Sequence, residues 1–195
     1  ALAAIVTGAL AIGMHQMAKR NALVRKMPAV ETLGCTTVIC SDKTGTITKG
    51  EMTVRKIFSG GKWLEVTGVG YTPEGEFRGP DVIHPSNDPP VRLLLQGGLL
   101  CNDSVLEEKE GKWVIKGDPT EGALVVAAVK AGFHKTEVRL ENPRVEELPF
   151  SSERKRMTTI HQMADGNKRA FMKGAPEVVL EKCSHLFQDG GIREL

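Results

Sequence analysis

The stretch around residue 42 carries the side chains best suited to covalent phosphate chemistry. Asp42 is followed in the sequence by Lys43, Thr44, Gly45 and Thr46. A carboxylate can act as a nucleophile and form an acyl-phosphate, as carboxylates do in ATPases. The lysine would offset the charge of a phosphate, and the threonines could offer hydroxyl and main-chain groups to phosphate oxygens or Mg²⁺. A surface turn is the alternative, since aspartate, glycine and threonine are all ordinary turn residues.

A short apolar run is expected to position this aspartate. Residues 36–39, Thr-Thr-Val-Ile, are β-branched and predict a buried strand that ends just before Asp42. In open α/β sheets, ligands bind beyond the carboxyl ends of the strands. Gly45 lets the main chain approach such a ligand closely. The sequence therefore predicts Asp42 at the C-terminal edge of an α/β sheet.

The five residues from Asp42 to Thr46 resemble the phosphorylation motif of the P-type ATPases, the cation pumps that form an aspartyl-phosphate. The resemblance implies that Asp42 is the nucleophile, that Lys43 and Thr44 assist it, and that Asp42 and the Thr44 carbonyl bind Mg²⁺. A haloacid-dehalogenase-like phosphatase is the rival, because it shares the aspartate nucleophile. Such phosphatases usually carry a general-acid carboxylate two residues on, where this chain has Thr44. A long-lived phosphoenzyme is therefore favoured over rapid hydrolysis.

Further stretches resemble the nucleotide-binding domain of the same family. They are Gly117–Leu124, Phe150–Met157, Lys173–Glu177 and, as a weaker match, Cys101–Asp103. They follow one another in the family's order, and the run Lys-Gly-Ala-Pro-Glu is specific. The resemblance implies that ATP is the phosphate donor to Asp42.

Six residues of these stretches are implied to form an adenosine pocket. Phe150 would stack on adenine, because an aromatic ring offers a flat partner to any base; the alternative is a core phenylalanine. Glu121 would accept a hydrogen bond from the adenine amino group, directly or through water, unless it only suits a helix start. Lys155 and Lys173 would face the phosphates or line the pocket; the alternative is that both are solvated surface lysines. Gly174 would let the base lie close, and Met157 would fill the pocket wall.

Composition restricts the other classes of function. The 195 residues carry a formal net charge of +2, which is too small to argue for nucleic acid as a partner. The four cysteines form no CxxC pair and have no metal-ligand spacing with histidine, which indicates isolated, reduced thiols. The sequence has no GxxxxGK[ST] run, and this excludes a Walker-type nucleotide site.

The periodicity of apolar residues predicts an α+β fold for most of the chain. Helices are predicted over 88–101, 118–131, 136–141 and 175–183, and strands over 50–58, 62–66, 111–116, 145–150, 157–162 and 169–172. The expected fold class is a mainly antiparallel sheet with flanking helices. The resemblance adds the first strand and loop of an α/β haloacid-dehalogenase-like phosphorylation domain.

The first residues of the chain predict a helix with a membrane connection. Residues 1–14 are almost wholly apolar but too few to cross a bilayer, which takes about 20 residues. Basic residues follow over 19–26, as in a cytoplasmic flank; an amphipathic core helix is the alternative. We expect residues 1–27 to end a transmembrane or stalk helix, 28–57 to begin the phosphorylation domain, and 58–195 to form the nucleotide-binding domain, whose completeness at the C-terminus stays open.

These observations lead to one expected function. The chain would be the ATP-binding and phosphorylation-site part of a multi-pass membrane P-type ATPase, on the cytoplasmic side, using ATP and Mg²⁺ to transport a cation. Calcium is favoured, since the nucleotide-binding motifs resemble the calcium-pump branch, and the membrane contact would be made by helices outside this segment. The family's later motifs are missing, so we expect weak nucleotide binding without turnover. A haloacid-dehalogenase-like phosphatase and a non-catalytic nucleotide-binding module remain alternatives.

Overall fold

The computed structural model describes residues 2–80, 84–188 and 191–195, except for the side chain of Thr44. The chain divides into two compact units, which meet in the sequence between Lys49 and Gly50. The first unit contains two helices and one π-helical turn. They are α1 (Leu2–Lys19), α2 (Pro28–Gly34) and the turn Lys43–Ile47.

The first unit buries none of its described residues. Helix α1 presents its apolar side chains to the surroundings, with Leu2 77% and Ile5 68% exposed. No helix in the described ranges combines the length and the apolar character needed to cross a membrane.

The predicted buried strand over residues 36–39 does not form. This run is not assigned to any strand, and Val38 and Ile39 are 75% and 89% exposed. A strand is stabilised by hydrogen bonds to a neighbouring strand, and none of the described strands pairs with this run. The prediction of a buried strand at residues 36–39 is therefore wrong, although the run has the residue types that are typical of strands.

The described residues of the second unit form ten strands, all of them in antiparallel pairs. Two sheets have three strands, in the orders β1-β2-β3 and β6-β7-β8, and the pairs β4-β5 and β9-β10 form hairpins. The strands are β1 (Lys56–Ser59), β2 (Lys62–Val66), β3 (Phe77–Arg78), β4 (Val105–Lys109), β5 (Lys112–Lys116), β6 (Arg144–Ser151), β7 (Arg156–Gln162), β8 (Lys168–Gly174), β9 (His185–Gln188) and β10 (Gly191–Glu194).

In the part of this unit that the structure describes, four helices and one 3₁₀ turn accompany these sheets. They are the turn Pro85–Asn87, α3 (Pro89–Leu100), α4 (Pro119–Lys130), α5 (Lys135–Glu141) and α6 (Pro176–Leu180). Helices α3 and α4 both begin with a proline after an aspartate cap, a favourable start because proline has no N–H to leave unpaired. The predicted class, antiparallel sheets with flanking helices, is confirmed.

The core of the second unit lies around α3, which packs against α4, α5 and β8. Its apolar face buries Val91, Leu95 and Leu99, and these contact a largely aliphatic cluster from α4 and the β1-β2-β3 sheet. Alternation along β7 turns Met157, Thr159 and every second neighbour inward. This alternation decides which residues of the β6-β7-β8 sheet can reach the helices.

His161 belongs to this inner face and is fully buried. Its Nδ1–H donates to the Asn142 carbonyl at 2.8 Å, so the neutral ring accepts from the Thr159 hydroxyl at Nε2, at 3.0 Å. Burial lowers the pKa of the ring, although the bond to Asn142 opposes this. The Phe171 ring lies edge-on to it at 5.7 Å. Both ring nitrogens are thus used by hydrogen bonds within the fold.

Several elements differ from the predicted ones at their boundaries. Helix α6 ends at Leu180 instead of Cys183, and periodicity indicated neither β4 nor either strand of the β9-β10 pair. The stretch 67–87, for which neither a helix nor a strand was predicted, contains β3 and a 3₁₀ turn, and its residues 81–83 lie outside the described part. Short strands carry too few residues for a period of two to be recognised.

Candidate nucleotide-binding site

The site is built on the first turn of α4. The Asp118 carboxylate accepts hydrogen bonds from the main-chain N–H groups of Thr120 and Glu121, at 2.8 and 3.1 Å. Such a cap fixes where the helix begins, and therefore the direction in which Glu121 projects. Gly117, just before the cap, has a φ of +127°, and a Cβ there would lie 2.3 Å from the Ser104 Oγ. Only glycine fits this approach.

Glu121 forms an ion pair with Lys173 of β8, through its Oε1 atom. The two side chains are only 16% and 24% exposed, so solvent screens the pair less than it screens a pair on the open surface. The residues lie 52 positions apart in the sequence. The structure therefore brings together two of the residues that the resemblance implied for adenosine binding.

The other oxygen of Glu121 is held by the main chain. Oε2 accepts from the N–H groups of Asp103 and Ser104, at 2.9 and 3.0 Å, and from the Ser104 hydroxyl at 3.3 Å. Burial of the carboxyl group raises its pKa, but the hydrogen bonds from Lys173 and from these N–H groups outweigh burial, and the pKa is lowered. The folded protein thus favours a charged Glu121.

Asn102 fixes the turn that supplies these donors, and it is fully buried. Its side-chain amide donates to the Gly98 carbonyl in the last turn of α3 at 3.0 Å, and to the Glu121 carbonyl in α4 at 2.9 Å. Its Oδ1 accepts from the Ser104 N–H at 2.9 Å. One side chain therefore joins the end of α3, the start of α4 and the turn between α3 and β4.

Cations surround the same turn. Lys135 donates to the Ser104 carbonyl at 2.5 Å, and Arg139 donates to the Asn102 carbonyl at 2.5 Å. Arg144 reaches the Asn102 carbonyl at 3.1 Å and the Asp103 carboxylate at 2.8 Å. Burial, with Arg139 next in effect, lowers the pKa of Lys135 to about 8. The weak match at Cys101–Asp103 was the one sequence signal for this cluster, and the arginines themselves gave none.

Met157 lies directly opposite Lys173 in the β7-β8 pairing and is 4% exposed. Residues opposite each other in a sheet project to the same face, so Met157, Lys173 and Glu121 form one contiguous group. Phe150, on β6, is a residue with 61% of its surface exposed. An exposed ring is available to a planar ligand, whereas the alternative of a core phenylalanine does not fit this position.

Lys155 and Gly174 lie at the turn end of the same sheet. Lys155 adopts a φ of +51°, and its Nζ atom lies 3.9 Å from Glu177 Oε1, in an exposed ion pair. A Cβ on Gly174 would lie 2.4 Å from the Lys155 carbonyl oxygen. The glycine is therefore required by the close approach of β7 and β8, whether or not a base also lies near it.

The Asp42 loop belongs to the first unit and forms a compact turn. Asp42 Oδ1 accepts from the Lys43 N–H at 2.7 Å and caps the π-helical turn, while the Thr48 N–H closes it on the Lys43 carbonyl at 3.0 Å. Gly45 has a φ of +79°, as such a turn requires. Asp42 is exposed, and the side chain of Thr44 lies outside the described part.

The oxygen ligands available around Asp42 suit magnesium, which keeps water and phosphate ligands, better than a metal that needs several protein side chains. Among the described residues no three side chains of His, Cys, Asp or Glu gather into a metal-binding group. Magnesium is commonly bound by one or two carboxylates together with phosphate oxygens and water. One exposed carboxylate beside main-chain carbonyls therefore fits magnesium that arrives with a phosphate ligand.

Two surface depressions lie elsewhere, along the β1-β2-β3 sheet. One is lined by Lys56 and residues 63–65, and the other by residues between Thr67 and Arg78. The first contains an exposed aromatic residue, Trp63, and both contain oppositely charged side chains, but these charges are exposed to solvent. The group around Glu121 and Lys173 is the better candidate because its polar side chains converge.

The fold and this group of residues define the class of protein. The family described as P-type ATPase, cytoplasmic domain N, matches residues 90–195, which is more than half of the chain. The chain belongs to this family. The resemblance inferred from the sequence motifs is confirmed.

Relatives are found in bacteria and mammals. The chain is 48% identical to the cation-transporting ATPase pma1 of Synechocystis and 47% identical to a calcium-transporting ATPase of Bacillus subtilis, in each case over 97% of this chain and 21% of the relative. It is 45% identical to the calcium-transporting ATPase type 2C member 1 of Bos taurus, over 95% of this chain and 19% of the relative. The chain thus spans about a fifth of the length of these relatives.

Proposed function

We propose that this chain supplies the ATP-binding residues and the phosphorylation site of a P-type ATPase that transports a cation, with calcium favoured. The observation that carries the proposal is the Glu121–Lys173 ion pair beside Met157, in a chain that belongs to the nucleotide-binding family. The names of the calcium-transporting relatives support the choice of cation. The complete protein would be a multi-pass membrane protein with this segment on its cytoplasmic side.

Adenine would stack on the exposed Phe150 ring and give a hydrogen bond from its amino group to Glu121. Lys173 would place a positive charge between the base and the phosphates, and Lys155, exposed at the end of the sheet, would face the phosphate groups. Because Gly174 has no side chain, the base could lie directly against the main chain there, and Met157 would fill the wall of the pocket. Most of the binding would then come from stacking and from charge-assisted hydrogen bonds.

Phosphoryl transfer would use Asp42. One carboxylate oxygen attacks the γ-phosphorus of ATP, a bond forms between this oxygen and phosphorus, and the bond to the β-phosphate oxygen breaks so that ADP leaves. Asp42 and the Thr44 carbonyl would hold Mg²⁺, which supplies charge neutralisation on the phosphate oxygens when bound. Lys43 would offset the remaining negative charge, and the capped turn would hold Asp42 in place.

Nucleotide binding can be tested on the 195-residue chain by calorimetric titration with ATP. Lys173→Met is expected to weaken binding by about tenfold or more, because a charge-assisted contact is lost and Glu121 is left unpaired. Lys109→Met is the matched control, since Lys109 is also paired with a glutamate, at 3.2 Å, but lies on the β4-β5 hairpin. Equal loss in both variants would contradict the proposed site.

Phosphorylation needs a separate test, on the complete protein in membranes. Incubation with γ-labelled ATP and Mg²⁺ is expected to give an acid-stable, hydroxylamine-labile label that is absent from Asp42→Asn and present in the exposed control Asp165→Asn. The isolated chain is expected not to turn over. Steady Mg²⁺-dependent hydrolysis by the isolated chain, lost in Asp42→Asn, would instead favour a phosphatase.

A further inference from the structure

The two carboxylate oxygens of Glu121 have different surroundings. Oε2 accepts three hydrogen bonds, from the Asp103 N–H and from both polar groups of Ser104. Oε1 has one partner among the described residues, Lys173. Since a carboxylate oxygen offers about two acceptor directions, Oε2 is saturated and Oε1 has one direction left.

The saturated oxygen is on the buried side. Asn102, behind the turn, has no exposed surface, whereas the side chains of Glu121 and Lys173 are 16% and 24% exposed. The group therefore reaches the surface at the ion pair, and the turn reaches it at Asp103, whose side chain is 59% exposed. A ligand at this surface would meet Oε1 and Lys173 together.

Asn102 decides which oxygen faces inward. Its Oδ1 accepts from the Ser104 N–H at 2.9 Å, and its amide is bonded to carbonyls of both α3 and α4. The turn is thereby directed at Glu121, with two N–H groups converging on Oε2. No other single side chain in the described network bonds to the turn and to both helices, although Arg144 links the turn to the end of α3 and Ser104 links it to the α4 cap.

We propose that Asn102 is a positioning residue that holds the Glu121 carboxylate with Oε1 outward, so that this single acceptor reads the 6-position of a bound purine. A 6-amino group donates a hydrogen bond to the remaining acceptor direction of Oε1, whereas a purine without it covers that direction and leaves it unfilled, with Lys173 as the one partner of this oxygen in the described residues. Covering an acceptor direction without filling it costs binding free energy, and this makes the contact selective. The inference rests on the proposed function and adds the device that sets its base selectivity.

Glu121→Gln gives a directional test. The two N–H groups at the Oε2 position require an acceptor, so the glutamine must place its oxygen there and its NH₂ group at the Oε1 position. That NH₂ group would face the adenine amino group, donor against donor. The variant is therefore expected to lose its preference for a 6-amino purine and not merely to bind every nucleotide less tightly.

The experiment compares the 195-residue chain and its variants in binding ATP and purine riboside triphosphate, which carries hydrogen in place of the amino group. The wild-type chain is expected to prefer ATP by about tenfold, and in Glu121→Gln the preference should vanish or invert. Glu107→Gln, which removes an ion-paired glutamate on β4, should keep the wild-type preference. Equal binding of both nucleotides by the wild-type chain, or an equal loss for both in Glu121→Gln, would overturn the inference.

Asn102→Ala tests the positioning role itself. The ratio of the two affinities is expected to fall toward one, while Asn142→Ala, which also removes an amide bonded to a helix carbonyl (that of Val138, at 2.9 Å), keeps the ratio. Asn102→Asp, which retains the acceptor for Ser104, serves if the alanine variant does not fold. Lower affinity with an unchanged ratio would overturn the positioning role. A wild-type chain that binds neither nucleotide would overturn the proposed function as well. A failure of the inference alone can therefore be told apart from a failure of the proposed function.

Discussion

At the scale of single residues, the region around Asn102 concentrates more charge than its buried position would suggest. Arg144 donates to Asp103 and Glu147, at 2.8 and 2.6 Å, and these bonds raise its pKa against the effect of burial. The Nε atoms of Arg139 and Arg144 are buried without a partner in the described part of the chain. These arginines hold the turn and the Asp103 carboxylate, whereas Lys173 and the main-chain N–H groups keep Glu121 charged.

Lys135 is the cation of this cluster whose charged form the folded state disfavours most clearly. Its folded-state pKa of about 8 lies below the ordinary 10.5, because burial and the neighbouring Arg139 oppose the charge while Asp103 and Glu121 favour it. Between these two pH values the unfolded chain binds more protons than the folded chain. The stability contributed by Lys135 therefore rises as pH rises from about 8 to about 10.5.

This dependence can be measured by urea unfolding across that range of pH. The free energy of unfolding of the wild type, minus that of Lys135→Met, is expected to increase with pH and to be constant below pH 8. Parallel profiles for the wild type and Lys135→Met would show that Lys135 titrates normally.

At the scale of elements, helix capping connects stability to the site. Helices α3 and α4 are capped in the same way by Asp88 and Asp118, but only α4 carries a residue of the candidate site. The α4 cap receives two N–H groups, at 2.8 and 3.1 Å, and the α3 cap one, at 3.2 Å. Loss of the α4 cap would therefore free the turn that directs Glu121.

The two caps can be compared directly. Asp118→Ala and Asp88→Ala are each expected to lower the free energy of unfolding by about 1 kcal/mol. Only Asp118→Ala should also weaken ATP binding, since Glu121 follows it in the first turn. Calorimetric titration and denaturant unfolding of both variants would measure this. Similar ATP affinities in the two variants would mean that the cap does not position Glu121.

At the scale of the whole molecule, the two units differ in how much they bury. The second unit has a continuous apolar core, whereas none of the described residues of the first unit is buried. The apolar side chains of α1 are exposed, and exposed apolar surface promotes association. The stability of the core should therefore be a property of the second unit by itself.

A shortened chain of residues 50–195 tests this separation. It is expected to unfold at the same denaturant midpoint as the full chain, within about 0.5 kcal/mol in free energy, because no buried side chain is removed. It should also bind ATP equally well and remain monomeric at higher concentration, as measured by light scattering. A large loss of stability would show that residues 1–49 support the core.

The sequence by itself determined the family, the class of fold and most helices. The Lys-Gly-Ala-Pro-Glu run, the aspartate-proline starts of α3 and α4, and the alternation of β7 are local patterns, and local patterns depend on chain chemistry and spacing alone. The antiparallel class, which follows from such patterns, was predicted correctly. The roles of Asp42, Phe150 and the other candidate residues remain predictions.

Tertiary structure alone decided the rest. The ion pair between Glu121 and Lys173 joins residues 52 positions apart, and the buried Asn102 with its surrounding arginines shows no periodic signal. The run before Asp42 has the composition of a strand but remains exposed and unpaired. In each case the outcome depends on which residue, distant in the sequence, pairs with a charged group, an amide or the edge of a strand. The sequence shows which groups are present but not which of them pair.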